Sequence, residues 1–464
     1  MRRLIAVSNR VADPTSEAQS GGLAVAIGDA LVQSSGTWFG WDGTTIEDDQ
    51  QPELQVAEHG NVRLATMPIR NCDFRDYYLG FSNKVLWPAF HYRLDLIDAG
   101  AGYAEAYFRV NREMAERLAP HVERGDLVWV HDYHLIPLGR ELRMLGVAER
   151  IGFFLHIPFP PPDIFLAVPE HQVLAECLFS YDVVGFQTSI DTANFIRYVL
   201  EQAGGQDLGG GQVRAFGRVL KVATFPIGID VEKFHAHANN QRADELIRRL
   251  QRHGYTHLQI LGVDRLDYTK GLPDRLRAFR RLLELHPEYC KRATLMQIAP
   301  PTREEVEAYA DIRAELEGLS GNINGEFGDF DWTPVRYIHR AMPHATLAAL
   351  FRGSRVGLVT PLRDGMNLVA KEYIAAQDEN DPGVLILSRF AGAAEDLEEA
   401  LLVNPYDTEE VALALRRALS MPREERCKLH GALLERVRHN DVHSWRRAFL
   451  LALAGSGGPK MAAA

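Results

Sequence analysis

Short apolar runs alternate with longer stretches of helical periodicity along the whole chain. In the first half the runs are Leu4–Val7, Leu127–Val130, Ile151–Leu155, Val183–Phe186 and Leu220–Phe225. In the second they are Leu258–Val263, Ala293–Ile298, Val356–Val359, Val384–Leu387 and Leu401–Val403. Unbroken β-branched and leucine runs of this length, bounded by turn residues, read as strands buried on both faces. Between them, Ala104–Leu118, Asp244–Leu250, Asp274–Leu285 and Glu304–Leu316 repeat apolar positions at the helical spacing. Strand and helix in alternation predict α/β layers around parallel strands, and each half reads as its own doubly wound sheet. The seam falls near Pro226–Ala236, dividing residues 1–230 from 231–439. His443–Leu453 (HSWRRAFLLAL) is amphipathic and predicts a helix within about 440–455 that suits either lobe, and residues 456–464 read as a flexible tail. Two such lobes across a cleft suit a transferase, because open α/β sheets bind ligands at the carboxyl ends of their strands.

Composition narrows the class without naming a reaction. With 464 residues the chain is too long for one ordinary core, so more than one domain is expected. Apolar residues make up 46% and charged residues 24%, usual for a soluble protein. A net charge of −11 argues against a general nucleic-acid binder, although local cations still bind phosphate. Cys72, Cys177, Cys290 and Cys427 lie far apart and read as reduced thiols of a cytoplasmic protein. Leu4–Val7 is too short for a signal peptide, and Ile151–Pro162 is too short and proline-broken to span a membrane.

Most polar clusters fall where the predicted strands end. Gly357–Tyr373 (GLVTPLRDGMNLVAKEY) reads as strand, turn and helix start, an arrangement that aims backbone N–H groups at an anion. Asp364 can accept hydrogen bonds from a polyol, and Glu372, one turn beyond Leu368, can reach a ribose. Val7-Ser8-Asn9-Arg10 ends the first strand, and Ser20-Gly21-Gly22-Leu23 enters a helix; the glycines admit a ligand to the backbone and Arg10 can pair with phosphate. The plain alternative is a tight turn with a surface arginine. His131-Asp132-Tyr133-His134 follows VWV, where Asp132 can bind sugar hydroxyls; a capped helix with a packed histidine is the alternative, and His131 with His134 lacks a third metal ligand. His156 stands at the tip of FFLHIP, where catalytic and structural roles weigh evenly. In Gly262–Gly271, Arg265 and Lys270 can converge on a diphosphate, or the turn can simply be a charged loop with local ion pairs. Trp38-Phe39-Gly40-Trp41, Tyr77-Tyr78 and Val85-Leu86-Trp87-Pro88 are aromatic clusters whose glycine and polar neighbours favour an exposed loop for at least some. Asp329-Phe330-Asp331-Trp332-Thr333 has the spacing of aspartyl phosphatases, but the polar, glycine-rich NINGEFG precedes it in place of a buried strand, so a loop is expected.

Together these segments resemble the trehalose-6-phosphate synthase family of retaining, nucleotide-sugar-dependent glycosyltransferases. VSNR, SGGL, WFGW, YYLGFSNKVLWPAFHYR, HDYHL, FFLHIPFP, GFQT, PIGID, DRLDYTKG, QIAP, FGDFDWTPVRY and TPLRDGMNLVAKEY occur in the family's order, across roughly four-fifths of the chain. Leu79 stands where the family motif has asparagine. The resemblance implies a GT-B architecture of two Rossmann-like domains, the acceptor mainly on the first and the donor on the second, with the C-terminal helix returning to the first. It implies transfer of glucose from a nucleotide-diphosphate glucose, most commonly UDP-glucose, to glucose 6-phosphate. Arg10, Trp41, Tyr78 and Arg303 would hold the acceptor phosphate, Asp132 its hydroxyls, and Trp87 the linkage geometry. Gly21, Gly22, Arg265 and Lys270 would lie at the donor diphosphate; Leu368, Val369 and Glu372 at the nucleoside; Asp364 and His156 at the transferred glucose. The implied route is front-face retention; no DxD motif sits at the diphosphate, so no metal or other cofactor is expected, and the charge and hydropathy above speak against nucleic-acid and membrane partners, with a homo-oligomer left open. Related readings are a glucosylglycerol-phosphate synthase or cyclitol coupler on the same scaffold, and a non-catalytic sugar-phosphate sensor.

Overall fold

A computed structural model describes residues 2–11, 27–28, 31–32, 34–252, 258–303 and 305–455. Gly21, Gly22 and the tail 456–464 lie outside the described residues. Contacts divide the chain into two compact units, Met1–Pro226 with Trp445–Ala464, and Ile227–Ser444.

Among the described residues the first unit is built on ten strands: β1 (Leu4–Arg10), β2 (Thr37–Ile46), β3 (Gln55–His59), β4 (Val62–Arg70), β5 (Leu127–His131), β6 (Arg150–Phe154), β7 (Val183–Phe186), β8 (Gln206–Gly209), β9 (Gln212–Ala215) and β10 (Arg218–Thr224). Their order is β3-β4-β2-β1-β5-β6-β7-β10-β9-β8, with parallel pairing from β4 through to β10. All five residues of β5 are buried, as its central place between β1 and β6 requires. Ser8 pairs with His131 and His131 with Phe154, so the carboxyl ends of β1, β5 and β6 lie side by side. Helix Tyr103–Leu118 turns Ala106, Tyr107, Val110, Met114 and Leu118 inward, the helical spacing seen in the sequence. Each such buried large side chain contributes roughly 1.5–3 kcal/mol. Of the C-terminal helix, Val442–Ala454, Phe449 stacks on Trp129 of β5 with ring centroids 4.7 Å apart, and Trp445 packs against the same ring, tilted, at 4.8 Å.

The second unit carries β11 (Leu258–Val263), β12 (Ala293–Ile298), β13 (Val335–Ile338), β14 (Val356–Val359), β15 (Val384–Ser388) and β16 (Leu401–Val403), all parallel in the order β13-β12-β11-β14-β15-β16. Both units are therefore Rossmann-like, the pair of domains from which a GT-B fold is made. Among the described residues no helix is long and apolar enough to cross a membrane.

Two expectations need correction. Trp38–Trp41 is no exposed loop: it lies in β2, with Trp38, Phe39 and Trp41 buried, and Gly40 accommodates the close approach of the Ser8 carbonyl. The helix expected to end at Leu316 runs Glu307–Phe327, through NINGEF and three glycines. Asp329–Thr333 then makes a tight turn, in which Asp329 and Trp332 exchange backbone hydrogen bonds of 3.0 and 3.1 Å. Six strands carried no recognised apolar run: β2, β3, β4, β8, β9 and β13.

Candidate active site

In the first unit, Arg10 ends β1 exposed, with its guanidinium carbon 5.8 Å from the Trp41 ring centroid. Gly43, at the irregularity in β2, adopts φ 92°, a left-handed backbone that favours glycine, and the Arg10 guanidinium lies within 2.6 Å of where a Cβ would stand. From Trp41 a chain of rings runs inward. Tyr78 lies 5.5 Å from Trp41 and stacks at 5.9 Å on His134; His134 lies 3.9 Å from Tyr133, and Tyr133 5.7 Å from Trp87. Tyr78 belongs to the π-helical stretch Phe74–Leu86, a rare local winding that concentrates at functional sites.

Asp132 follows β5 with φ 76°, a strained backbone for a residue with a Cβ. Its N–H donates to the Phe154 carbonyl at 2.8 Å, and its Oδ1 accepts from the His156 N–H at 3.2 Å. The His156 ring meets His131 in a 3.1 Å contact between Nε2 and Nδ1. Burial pushes the His156 imidazole down to about 3, so it is neutral near pH 7. His131 is also held well below the usual range, by burial and by His156. The structure therefore brings Arg10, Trp41, Tyr78, Trp87, Asp132 and His156 into one connected neighbourhood.

In the second unit, β14 runs out at Val359 and the following turn carries Asp364, whose N–H donates to the Phe390 carbonyl at 3.1 Å. Lys270, mostly buried, forms an ion pair with Asp364, joining the turn after β11 to the turn after β14. Asp364 Oδ2 also accepts from Asn367 Nδ2 at 3.1 Å, and Asn367 Nδ2 reaches Asp264 Oδ1 at 3.3 Å. Asn367 (φ 68°) opens helix Leu368–Ala376 without a side-chain cap, which leaves the helix N-terminus open to an anion or hydroxyl group. Leu368 and Val369 are half-buried there, and Glu372 is buried one turn on. Burial pushes the Glu372 carboxyl up to about 7, with Asp264 adding to the rise and His344 opposing it. Arg265 is exposed on the loop beyond Asp264, and Arg303 lies in this unit with its side chain only 6% exposed.

The model of glycosyltransferase family 20 matches residues 5–454. The chain belongs to glycosyltransferase family 20. The family-20 chain is 49% identical over 451 residues to a trehalose-6-phosphate synthase of Klebsiella pneumoniae subsp. pneumoniae, covering 97% of this chain and 94% of that protein. A crystal structure of an alpha,alpha-trehalose-phosphate synthase (UDP-forming) from Burkholderia xenovorans, in complex with glucose-6-phosphate, superimposes with a TM-score of 0.94 at 49% identity, covering 98% of this chain and 100% of that one. A structure described as trehalose-6-phosphate from E. coli bound with UDP-2-fluoro glucose superimposes with a TM-score of 0.92 at 44% identity, over 98% and 100% of the two chains.

Several residues linked to Asp364 by hydrogen bonds escaped the sequence reading. Arg275 is completely buried and donates to Asp264 Oδ2 at 2.9 Å, Gln297 Oε1 at 3.0 Å and Thr360 Oγ1 at 3.2 Å. Asn367 and Asp264 link it to Asp364. The available signal was an arginine on the apolar face of LPDRLRAFRRLLEL, a charge that must find partners if that face is buried. Among the described residues no group of three or more His, Cys, Asp or Glu is arranged to hold a metal.

Proposed function

We propose that this chain is an α,α-trehalose-phosphate synthase, transferring glucose with retention from a nucleotide-diphosphate glucose, UDP-glucose by preference, to glucose 6-phosphate. The observation that carries the reading is the Arg10–Trp41–Tyr78 cluster at the end of β1, in a chain 49% identical to a synthase solved with glucose-6-phosphate. A guanidinium held over an indole beside a phenol suits a phosphate ester on a sugar. Asp132 is assigned the acceptor hydroxyls, Trp87 the linkage geometry and Arg303 a share in binding the acceptor phosphate. Arg265 and Lys270 are assigned to the donor diphosphate, as are Gly21 and Gly22, which lie outside the described residues. Leu368, Val369 and Glu372 hold the nucleoside, and Asp364 and His156 the transferred glucose.

The chemistry follows from the charge states. The donor C1–O bond breaks towards the diphosphate, and the acceptor O1 attacks C1 from the same face while passing its proton to a diphosphate oxygen. Arg265 and Lys270 stabilise the charge gathering on the leaving group. Asp364 already accepts from Lys270 and Asn367, which favours a hydroxyl ligand over a covalent nucleophile. A neutral His156 orients a hydroxyl and supplies no charge. The test is to incubate the protein, in EDTA, with UDP-, ADP- and GDP-glucose against glucose 6-phosphate and glycerol 3-phosphate, and to identify products by mass. Trehalose 6-phosphate is expected. Product only from glycerol 3-phosphate would reject the acceptor, and a requirement for added metal would reject the metal-free route.

A further inference from the structure

Asp267 is completely buried at the start of the turn Tyr268–Lys270. Its Oδ1 accepts from the Thr269 N–H at 3.0 Å and the Thr269 hydroxyl at 2.9 Å, as an N-cap does. Its backbone carbonyl accepts from the Lys270 N–H at 3.0 Å. A cap needs one carboxylate oxygen, and the second has a different set of partners. Oδ2 accepts from the Tyr309 hydroxyl at 3.1 Å and lies 3.6 Å from Arg303 Nη1, which itself donates to the Tyr309 oxygen at 2.7 Å. Tyr309 thus stands between the two, receiving from the guanidinium and donating to the carboxylate. Arg303 adopts φ 49°, a left-handed backbone that a residue with a side chain keeps only where its surroundings hold it.

We propose that Asp267 is a positioning residue for the transfer reaction: one carboxylate fixes Arg303, directly and through Tyr309, and the turn that carries Lys270. The cation for the acceptor phosphate and the cation for the donor diphosphate are then set in a single frame. This rests on the roles given above to Arg303 and Lys270. Burial alone would push the Asp267 carboxyl up, but Arg303, Arg265 and Lys270 outweigh it and hold it below the usual range, so the frame keeps its charge at working pH. Asparagine caps a turn as well as aspartate does, which lets charge be separated from shape.

Steady-state kinetics of Asp267→Asn, Arg303→Ala and the double variant, with each substrate varied in turn, tests this. Asp267→Asn is expected to raise KM for glucose 6-phosphate about tenfold, and to change it less than about twofold once Arg303 is already alanine. Tyr309→Phe, which removes the bridge and keeps the charge, is expected to raise the same KM severalfold under the same dependence on Arg303, and it decides the matter if Asp267→Asn does not fold. Unchanged KM in Asp267→Asn, with the enzyme folded as in the wild type, is the result of a cap alone and would overturn the proposal. So would equal effects with and without Arg303. A wild-type KM in Arg303→Ala alone would instead remove the acceptor role of Arg303, and this proposal with it; the single variant therefore separates the two failures.

Discussion

Glu372, proposed above to hold the nucleoside, also loads the fold. Its buried carboxyl is pushed up to about 7 from an ordinary 4.5. Below pH 4.5 the group is protonated whether the chain is folded or not. Between 4.5 and 7 the folded chain keeps a proton that the unfolded chain has lost, so this contribution to stability falls through that window and is gone above it. Glu372→Gln is neutral throughout, and is expected to gain on the wild type by on the order of 3 kcal/mol between pH 4.5 and pH 8. Urea titrations at both pH values measure it, and a difference independent of pH would refute the assignment. Arg265→Ala is expected to lower kcat on the order of 100-fold, about 3 kcal/mol of transition-state stabilisation; single-turnover rates near wild type would count against it. Residues at strand ends, such as Arg10, Asp132 and Asp364, were legible because an apolar run stops beside them. Asp264 and Asn367 were not: they lie 103 residues apart, and their contact exists only after β11 and β14 are paired.

At the scale of elements, the buried strands declared themselves and the edges did not. β5 and β12 are wholly buried and read directly from their apolar residues. All residues of β3 and β8 are exposed, so no alternation or run marks them. β2 is interrupted by a register shift between Trp41 and Thr45, where Gly43 adopts its left-handed backbone, and that polar break hid a ten-residue strand. Helix Glu307–Phe327 was cut short because Gly318, Gly321 and Gly325 are poor helix formers that tertiary packing overrides. Helix Leu272–Leu285 starts from Gly271 (φ 62°), where a Cβ would meet the Thr360 carbonyl at 2.5 Å, and Arg275 then ties it to β11, β12 and the turn after β14. Arg275→Met strands Asp264 as a buried charge and is expected to cost about 3–5 kcal/mol. Loss of less than 1 kcal/mol in equilibrium denaturation would mean that Asp264 finds another partner.

For the whole molecule, the alternation of strands and helices was enough to read two Rossmann-like units, because parallel sheets must be covered on both faces and therefore spell out their own rhythm. The first unit is discontinuous in sequence: its last piece begins at Trp445. Phe449 fills the space over Gly152 and Gly185, where a Cβ would meet its ring at 2.8 and 2.9 Å, and stacks on Trp129. Phe449→Ala is expected to cost about 3–5 kcal/mol, and Gly185→Ala to displace the same ring; thermal unfolding of each variant checks this, and an unchanged Tm in both would refute the packing role. The same arrangement imposes a schedule on synthesis. A ribosome that has finished the stretch to Pro226 must add the whole of Ile227–Ser444 before the covering helix appears, a wait of roughly 10–45 s at about 5–20 residues per second. Throughout that interval the aromatic face of β5 and β6 stands uncovered, so the nascent chain presents chaperones with a hydrophobic surface that the finished protein never shows.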